Sequence, residues 1–215
     1  MKIAILGAAG RVCDYLIPME LNETDDELVL FARGAGRRLC QYADNPRVRL
    51  VDGDFTDDTA LADALTGVDA VYLNDMQQLA PTRHVVAAVE KAGVDVFVGA
   101  NILGIHDEVP GAMGRWNLSM VGQAGEDRLK GTAQVVFDSS IPSWTVLRLT
   151  WLYDEDGNEA YELVPQGEPF RNAQVTRQGV ARGVFDILHD TSGQYARASL
   201  GIGEPDTYFA KPSFY

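Results

Sequence analysis

Short apolar runs recur along the chain, and stretches in which apolar residues follow a helical spacing separate most of them. The runs predict six strands, at residues 3–6, 28–32, 48–51, 70–73, 94–98 and 145–149. Each run is continuously apolar instead of alternating with polar residues, which is typical of strands covered on both faces. The pattern therefore predicts an α/β fold in which helices pack on both sides of a parallel sheet.

The regular pattern loosens after residue 149. Segments rich in glycine, proline and acidic residues occupy positions 154–157 and 165–169, a helix is predicted over 176–189, and residues 203–215 are expected to form an irregular tail. No repeat, low-complexity tract or linker divides the sequence. We expect a single domain over residues 1–215, to which residues 150–215 contribute a small C-terminal lobe.

The first predicted strand runs into a glycine turn, Gly7 to Gly10, and Leu16 and Ile17 then follow at helical spacing. Glycines permit a tight turn and close approach of the backbone to a ligand, and the free N–H groups at a helix start favour a pyrophosphate. We therefore expect a Rossmann-like doubly wound sheet with a dinucleotide at this turn. The predicted contacts are Gly7, Ala9, Gly10, Arg11, Val12 and, directly after the fourth strand, Asn74.

Composition excludes several classes of protein. The 215 residues carry a formal net charge of −13 with a pI near 4.5, and they lack the clustered basic residues that nucleic acids and anionic membranes require. Neither a signal peptide nor a membrane-spanning run is visible. Cys13 and Cys40 are the only cysteines, which fits a reducing compartment and predicts no structural metal site. We expect a cytoplasmic protein that needs no disulfide.

The end of the second predicted strand carries Arg33. A site specific for NAD places an acidic residue at this point to bind the ribose 2′-hydroxyl, whereas a guanidinium suits the 2′-phosphate of NADP. Arg11 is a candidate second contact to that phosphate. We therefore expect NADP as the cofactor, with NADPH preferred over NADH. The alternative is that Arg33 is a solvated arginine in a loop that also holds Arg37 and Arg38.

Polar and aromatic residues follow the third predicted strand. Gly53, Asp54 and Phe55 come where an adenine ring lies in this fold. Asp54 is a candidate acceptor for the adenine amine, and Phe55 is a candidate flank of the ring. The alternative role for acidic residues nearby is capping, and we expect Asp57 or Asp58 to cap the next helix.

Six motifs are spread over most of the chain: Gly7-Ala8-Ala9-Gly10-Arg11, Phe31-Ala32-Arg33, Gly53-Asp54-Phe55-Thr56-Asp57, residues 64–71, Leu103-Gly104-Ile105 and Thr145-Val146-Leu147-Arg148. As a set they resemble the atypical short-chain dehydrogenase/reductases of the NmrA-like or NAD(P)H-binding group, and residues 161–170 resemble a small bacterial subgroup. The resemblance implies a Rossmann fold and a nicotinamide cofactor. It is less specific for activity, because the superfamily contains reductases, epimerases and nucleotide sensors without turnover.

Three departures from the family pattern affect the expected chemistry. Cys13 stands where the family has a glycine or alanine, and its small thiol still permits close packing of helix and strand. Asn101 replaces the serine that polarises the substrate carbonyl, and its amide is able to donate a hydrogen bond to a carbonyl or an oxyanion. None of the 8 tyrosines has a lysine four residues later, so the family's usual acid is absent.

Two other residues are candidate proton donors. His106 follows the fifth strand, where the resembling subgroup has tyrosine, and histidine titrates near neutral pH. Lys130 lies in a helix predicted over 126–137 and is a candidate contact for the nicotinamide ribose or the substrate. The alternatives are a hydrogen-bonded surface histidine and a solvated lysine. We expect structural roles for His84 and His189, the latter near the negative end of a helix dipole.

Aromatic residues are predicted at the same carboxyl edge of the sheet. Trp116 follows the fifth strand, and Trp151 and Tyr153 follow the sixth. They are candidates for the apolar wall of a substrate pocket or a shield of the nicotinamide. The alternative is that Trp116 and Trp151 only close the core of the C-terminal lobe.

Two hypotheses for function remain. The first is an NADPH-dependent reductase of a small carbonyl, quinone or flavin-like acceptor, in which the proton comes from solvent, His106 or Lys130 because the usual Ser-Tyr-Lys triad is missing. The second is a non-catalytic NADP(H)-binding sensor of NmrA type, whose nucleotide biases contact with a protein partner. The first is favoured, because loss of one acid does not prevent hydride transfer to a conjugated acceptor.

Overall fold

The centre of the protein is an eight-stranded sheet, seen in a computed structural model that describes residues 1–215. The strands in chain order are β1 (Lys2–Leu6), β2 (Glu27–Ala32), β3 (Val48–Asp52), β4 (Ala70–Leu73), β5 (Val96–Ile102), β6 (Ser143–Leu149), β7 (Trp151–Tyr153), β8 (Glu162–Pro165), β9 (Gln174–Thr176) and β10 (Ala198–Gly203). The main sheet has the order β3-β2-β1-β4-β5-β6-β10-β8, and only β8 is antiparallel to its neighbour. The predicted doubly wound parallel sheet is confirmed.

Seven helices accompany the sheet: α1 (Cys13–Glu23), α2 (Ala35–Arg38), α3 (Asp58–Ala64), α4 (Leu79–Ala92), α5 (Gly111–Val121), α6 (Gln123–Phe137) and α7 (Arg177–Leu188). The side chain of Asp57 accepts hydrogen bonds from the first turn of α3, which is the predicted cap. None of the helices combines the length and apolar composition needed to cross a bilayer.

Alternation along the strands divides the core into two layers. Ile3 and Ile5 of β1 pack with buried residues of α1 and α7, whereas Ala4 and Leu6 pack with α3, α4 and α6. All four side chains are fully buried. Both faces of the central strands therefore remove apolar surface from water, which explains why their sequences are continuously apolar.

The six predicted strands are present, and the C-terminal region adds four strands that the sequence did not predict, β7 to β10. β10 pairs in parallel with β6 and β8 pairs with β10, so both extend the main sheet, while β7 and β9 form a two-stranded sheet. β10 includes Gly201 and Gly203, against whose backbone Phe170 and Asn172 pack so closely that a Cβ would clash at Gly203. These glycines break the apolar run, which is why the strand is not evident in the sequence.

Candidate nucleotide-binding site

A crevice of about 310 Å³ opens at the carboxyl ends of β1, β2 and β4. Because β2 lies on one side of β1 and β4 on the other, the winding of the sheet reverses beside β1, and ligands of such sheets bind at this point. Eight of the ten predicted cofactor-binding residues are among its walls. The crevice is lined by Gly7, Ala9, Gly10, Phe31, Ala32, Arg33, Arg38, Gly53, Asp54, Phe55, Asn74, Asp75, Gln78 and Pro81.

The glycine turn presents free backbone donors to this crevice. Gly7 has a φ of 82°, in the left-handed region that favours glycine, and its N–H donates to the carbonyl of Phe31 at 2.9 Å. The N–H groups of Ala9, Arg11 and Val12 have no partner within the chain. Since α1 begins directly after them, these donors lie at the positive end of a helix dipole. This arrangement fits a pyrophosphate.

Small residues at the turn keep open the space in which a ligand would lie. A Cβ at Gly10 would lie 2.1 Å from Nδ2 of Asn74, so any side chain there would fill the cradle. Cys13 is fully buried and its Sγ lies 3.7 Å from the carbonyl oxygen of Gly7. Burial strongly raises the pKa of this thiol, so it is a small uncharged packing group. The cysteine is thus compatible with the close helix–strand contact that the family makes with glycine or alanine.

Asn74 is held in a fixed orientation. The hydroxyl of the fully buried Tyr72 donates to Asn74 Oδ1 at 2.9 Å, and Asn74 Nδ2 donates to the carbonyl of Gly7 at 3.4 Å. These contacts join the end of β4 to the glycine turn. The segment after β4 also supplies Asp75, Gln78 and Pro81 to the crevice, three residues that the sequence did not single out.

Two guanidinium groups stand on the wall formed by the end of β2. The side chain of Arg33 is 80% exposed, and its Nε lies 3.8 Å from Oδ2 of Asp54. Arg38 donates from Nη2 to the carbonyl of Ala9 at 2.9 Å, which fixes it against the glycine turn. Gly34, with a φ of 67°, starts the single turn of α2 that brings Arg38 back to the crevice. Arg38 was predicted only as a loop residue.

The far wall carries the residues expected near adenine. Phe55 stacks on Phe31 with ring centroids 5.9 Å apart and an interplanar angle of 13°. Asp54 accepts hydrogen bonds from the backbone N–H and the hydroxyl of Thr56, which lower the pKa of its carboxyl. Asp54 is therefore an ionised acceptor beside an aromatic surface. A Cβ at Gly53 would lie 2.7 Å from the Phe31 ring, so only glycine fits this approach.

Arg11 was expected to make a second contact to a 2′-phosphate, but its side chain lies elsewhere. Its side chain forms an ion pair with Asp154, which also pairs with Arg177 at 2.8 Å. The guanidinium thus joins the glycine turn to the segment after β7 and does not line the crevice. Val12 is buried, and its contribution to the turn is its free N–H.

The structure corrects the role expected of Asn101. β5 continues to Ile102 instead of ending at residue 98, so Asn101 lies on the sheet face beneath α6. It is buried, and its Nδ2 donates both to the carbonyl of Leu129 and to Oγ1 of Thr132. With both amide hydrogens committed, this side chain has no donor left for a substrate oxygen.

His106 does not line the crevice. Its Nε2 lies 2.9 Å from Oγ of Ser199 on β10, and its ring stacks on Phe137. Burial, and then the nearby Arg148 guanidinium, lower the pKa of His106, so its neutral form is favoured. Glu108 of the same loop forms a buried ion pair with Arg148 of β6, whose Nη1 lies 2.7 Å from Glu108 Oε1. The loop is a packed structural element.

Lys130 is paired with an exposed carboxylate on that loop. Its Nζ donates to Oδ1 of Asp107 at 3.1 Å. Burial lowers the pKa of Lys130, but the hydrogen bond to Asp107 raises it, and the net pKa is raised. Neither Asn101, His106 nor Lys130 is among the residues that line the crevice.

The aromatic residues form one cluster. The ring centroids of Trp116 and Trp151 lie 4.7 Å apart, and the ring centroid of Tyr215 lies 5.1 Å from that of Trp116 and 5.2 Å from that of Trp151. Trp151 Nε1 donates to Oδ1 of Asn117 at 3.0 Å. The tail thus covers the two tryptophans, and Tyr153 bonds instead to Glu204. The cluster does not border the crevice.

This fold and this crevice define a nucleotide-binding Rossmann protein, and the chain belongs to the NAD(P)H-binding family, whose model matches residues 7–191. A short-chain dehydrogenase/reductase (wide type) from Veillonella parvula DSM 2008, solved in complex with NADP, is 32% identical over 99% of each chain with a TM-score of 0.94.

Two further solved structures are similar. A Rossmann-fold NAD(P)-binding family protein from Shigella flexneri is 26% identical, over 100% of this chain and 98% of its own, with a TM-score of 0.77. ChuY, an anaerobillin reductase from Escherichia coli O157:H7, has a TM-score of 0.77 over 99% of this chain and 100% of its own, but at 19% identity it shows the fold alone. No curated protein matches the sequence.

Proposed function

We propose that the chain is an NADPH-dependent reductase whose substrate is a conjugated acceptor, such as a quinone or a flavin-like ring. The observation that supports the cofactor most strongly is the pair of guanidinium groups, Arg33 and Arg38, beside the glycine turn. No carboxylate stands at the end of β2, where NAD enzymes bind the ribose 2′-hydroxyl. The NADP in the Veillonella relative agrees with a 2′-phosphate at this wall.

The residues present fit a dinucleotide. The free N–H groups of Ala9, Arg11 and Val12 would hold the pyrophosphate, and Asp54 with Phe55 would hold the adenine. Gly10 leaves the cradle clear. When bound, NADPH supplies a hydride, which is chemistry that no side chain provides. The chain contributes binding, orientation and exclusion of water.

The contacts of the candidate acids favour an acceptor that needs no positioned proton donor. Asn101 has no free donor, His106 is bonded to Ser199, and Lys130 is bonded to Asp107. A carbonyl becomes a basic alkoxide as hydride arrives and requires an acid nearby. A quinone or flavin delocalises that charge, so solvent is a sufficient proton source. Among the three acceptor classes, conjugated rings therefore fit better than small carbonyls.

A turnover assay tests this proposal. Oxidation of NADPH is followed with a quinone, with free FMN and with a dicarbonyl, using wild-type protein and the Gly10→Glu variant. We expect oxidation above background with the quinone or FMN and none with Gly10→Glu. The variants His106→Gln and Lys130→Met should lose less than about tenfold in kcat, because a general acid would contribute about 10²–10⁴-fold. Larger losses would assign the proton to that residue.

A non-catalytic NADP(H) sensor is the second candidate. The observation that favours it is that Asn101, His106 and Lys130 all make internal contacts. A sensor would bind NADPH and oxidise it with none of the three acceptors. In that case the bound and free proteins should differ in affinity for a protein partner, and the reductase proposal is wrong.

A further inference from the structure

A second cluster of ionisable side chains lies at the amino edge of the sheet, opposite the nucleotide crevice. Glu20 is in the last turn of α1, Asp26 precedes β2 by one residue, and His189 directly follows α7. The side chain of Glu20 is fully buried, whereas those of Asp26 and His189 are 11% and 23% exposed. The last two leave a path from solvent to the cluster.

The three side chains converge on one point. His189 Nε2 lies 2.9 Å from Asp26 Oδ2 and 3.5 Å from Glu20 Oε2. One ligand atom from each residue lies within 4.8 Å of the other two. Ligands bound to one tetrahedral Zn²⁺ at about 2.0–2.2 Å stand roughly 3.3–3.6 Å from one another. The distance from His189 to Glu20 lies in this range, and Asp26 would move away from His189 by a few tenths of an ångström to admit the ion.

Glu20 gives an independent reason to expect a ligand. Neither of its carboxylate oxygens has a hydrogen-bond partner. A buried carboxylate without partners is costly, and it becomes favourable only when it is protonated or meets a positive charge.

The orientation of His189 also suits a metal. Its Nδ1 lies 2.9 Å from the carbonyl oxygen of Phe185, which only accepts hydrogen bonds. Nδ1 therefore carries a proton that it donates to this carbonyl. In the metal-free protein Nε2 donates a second proton to Asp26 Oδ2, and it is the ring nitrogen that a cation would bind after displacing that proton. Metal-binding histidines are generally oriented by such a bond from the second nitrogen.

Charged neighbours hold the cluster without occupying it. The amino group of Met1 binds Oδ1 of Asp26, which leaves Oδ2 directed at His189. Arg47 donates to the carbonyl of Thr24 at 2.7 Å and so fixes the turn between α1 and β2. Glu23 is paired with Arg182 on α7. The ligand positions are thus set by contacts on both packed elements.

We propose that Glu20, Asp26 and His189 form a binding site for a divalent transition-metal cation such as Zn²⁺, with water completing its coordination. Two carboxylates balance the charge of the cation, and the neutral imidazole supplies the nitrogen ligand. The site joins α1, the start of β2 and α7. Its occupation would stabilise the fold from the edge opposite the nucleotide.

The test is a Zn²⁺ titration of untagged, chelator-treated protein carrying Cys40→Ser, which removes an exposed thiol as an alternative ligand. Calorimetry should give one equivalent. At a hundredfold excess over Kd the melting temperature should rise by about 5 °C or more. Glu20→Gln and His189→Gln should each weaken binding by at least about tenfold. The matched control is His84→Gln, whose histidine pairs with the exposed Asp58 and should not affect binding.

Glu20→Gln separates binding from folding. It keeps the shape of the side chain and removes a buried charge, so the metal-free variant should melt no lower than its parent while losing the Zn²⁺ shift. Co²⁺ should give a d–d absorption band in the parent that His189→Gln abolishes. Absence of saturable Zn²⁺ binding by the parent would overturn the proposal, as would equal affinity in Glu20→Gln.

Discussion

Replacing Arg33 or Arg38 with alanine should weaken the binding of NADPH and leave that of NADH unchanged. A hydrogen bond to a charged group contributes about 1.5–3 kcal/mol. The side chain of Arg33 is 80% exposed and lies 3.8 Å from the carboxylate of Asp54, so water and this carboxylate weaken its contact. We take the lower end, about 1.5 kcal/mol, which is roughly a tenfold increase in Kd for NADPH.

Arg38 should have the larger effect. Its guanidinium is already held by the carbonyl of Ala9 at 2.9 Å, so less side-chain freedom is lost when a phosphate binds. About 2 kcal/mol corresponds to a roughly thirtyfold increase in Kd. Because both residues are expected to contact the same phosphate, the increase in Kd for the double variant should be smaller than the product of the two single increases.

Calorimetric titration with NADPH and with NADH checks both values. The matched control is Arg37→Ala, which removes the same charge from the same short helix at an exposed position outside the crevice. Arg37→Ala should leave both affinities unchanged. Equal losses for NADPH and NADH, or an equal loss in the control, would show that these arginines act through general electrostatics and do not recognise a 2′-phosphate.

Three further predictions concern stability. Gly53→Ala should lower the free energy of unfolding, measured by urea denaturation, by about 1–3 kcal/mol, because the new Cβ would lie 2.7 Å from an aromatic ring. Gly36→Ala is the control: it adds a Cβ in open space on a helix and should leave the free energy of unfolding unchanged or raise it. Glu108→Gln should lower the free energy of unfolding by about 3 kcal/mol, because it leaves the buried guanidinium of Arg148 without a counter-charge. The pKa of Glu20 rises from 4.5 to about 7 on folding, so the folded chain retains a proton and metal-free stability should fall as pH rises across that window. Denaturation of Glu20→Gln at several pH values should show a weaker fall.

The central strands and the glycine turn were predictable because each is a local feature of the sequence. Continuous apolar runs fixed the positions of six strands, and Gly7 to Gly10 followed the first. The place of Arg33 at the crevice followed from the end of β2. The cap formed by Asp57 is likewise local, since its side chain bonds to residues two and three positions later.

The positions of other residues depended on where elements end. Asn101 was expected beyond its strand, but the strand continues to Ile102 and directs the amide to the face beneath α6. Arg38 reaches the crevice because Gly34 adopts a left-handed conformation and a single helical turn follows. Such shifts of a few residues change the face on which a side chain lies, and hydrophobic pattern alone does not set them.

Long-range contacts account for the remainder. Glu20 and His189 meet only because α1 packs beside α7, and no local spacing relates them. Arg11 pairs with Asp154, which is 143 residues away. The strand β10 contains two glycines that accommodate the side chains of Phe170 and Asn172. These features follow from the assembled sheet.

Titration of the wild-type chain and of Gly10→Glu with NADPH tests the central claim most directly. A Cβ at Gly10 would lie 2.1 Å from Nδ2 of Asn74, and the added carboxylate would repel phosphate. We expect saturable binding of one NADPH per chain, tighter than that of NADH, and no measurable binding by the variant, whose circular dichroism should remain unchanged. Equal binding of NADPH by a folded Gly10→Glu variant would contradict the assignment of this crevice.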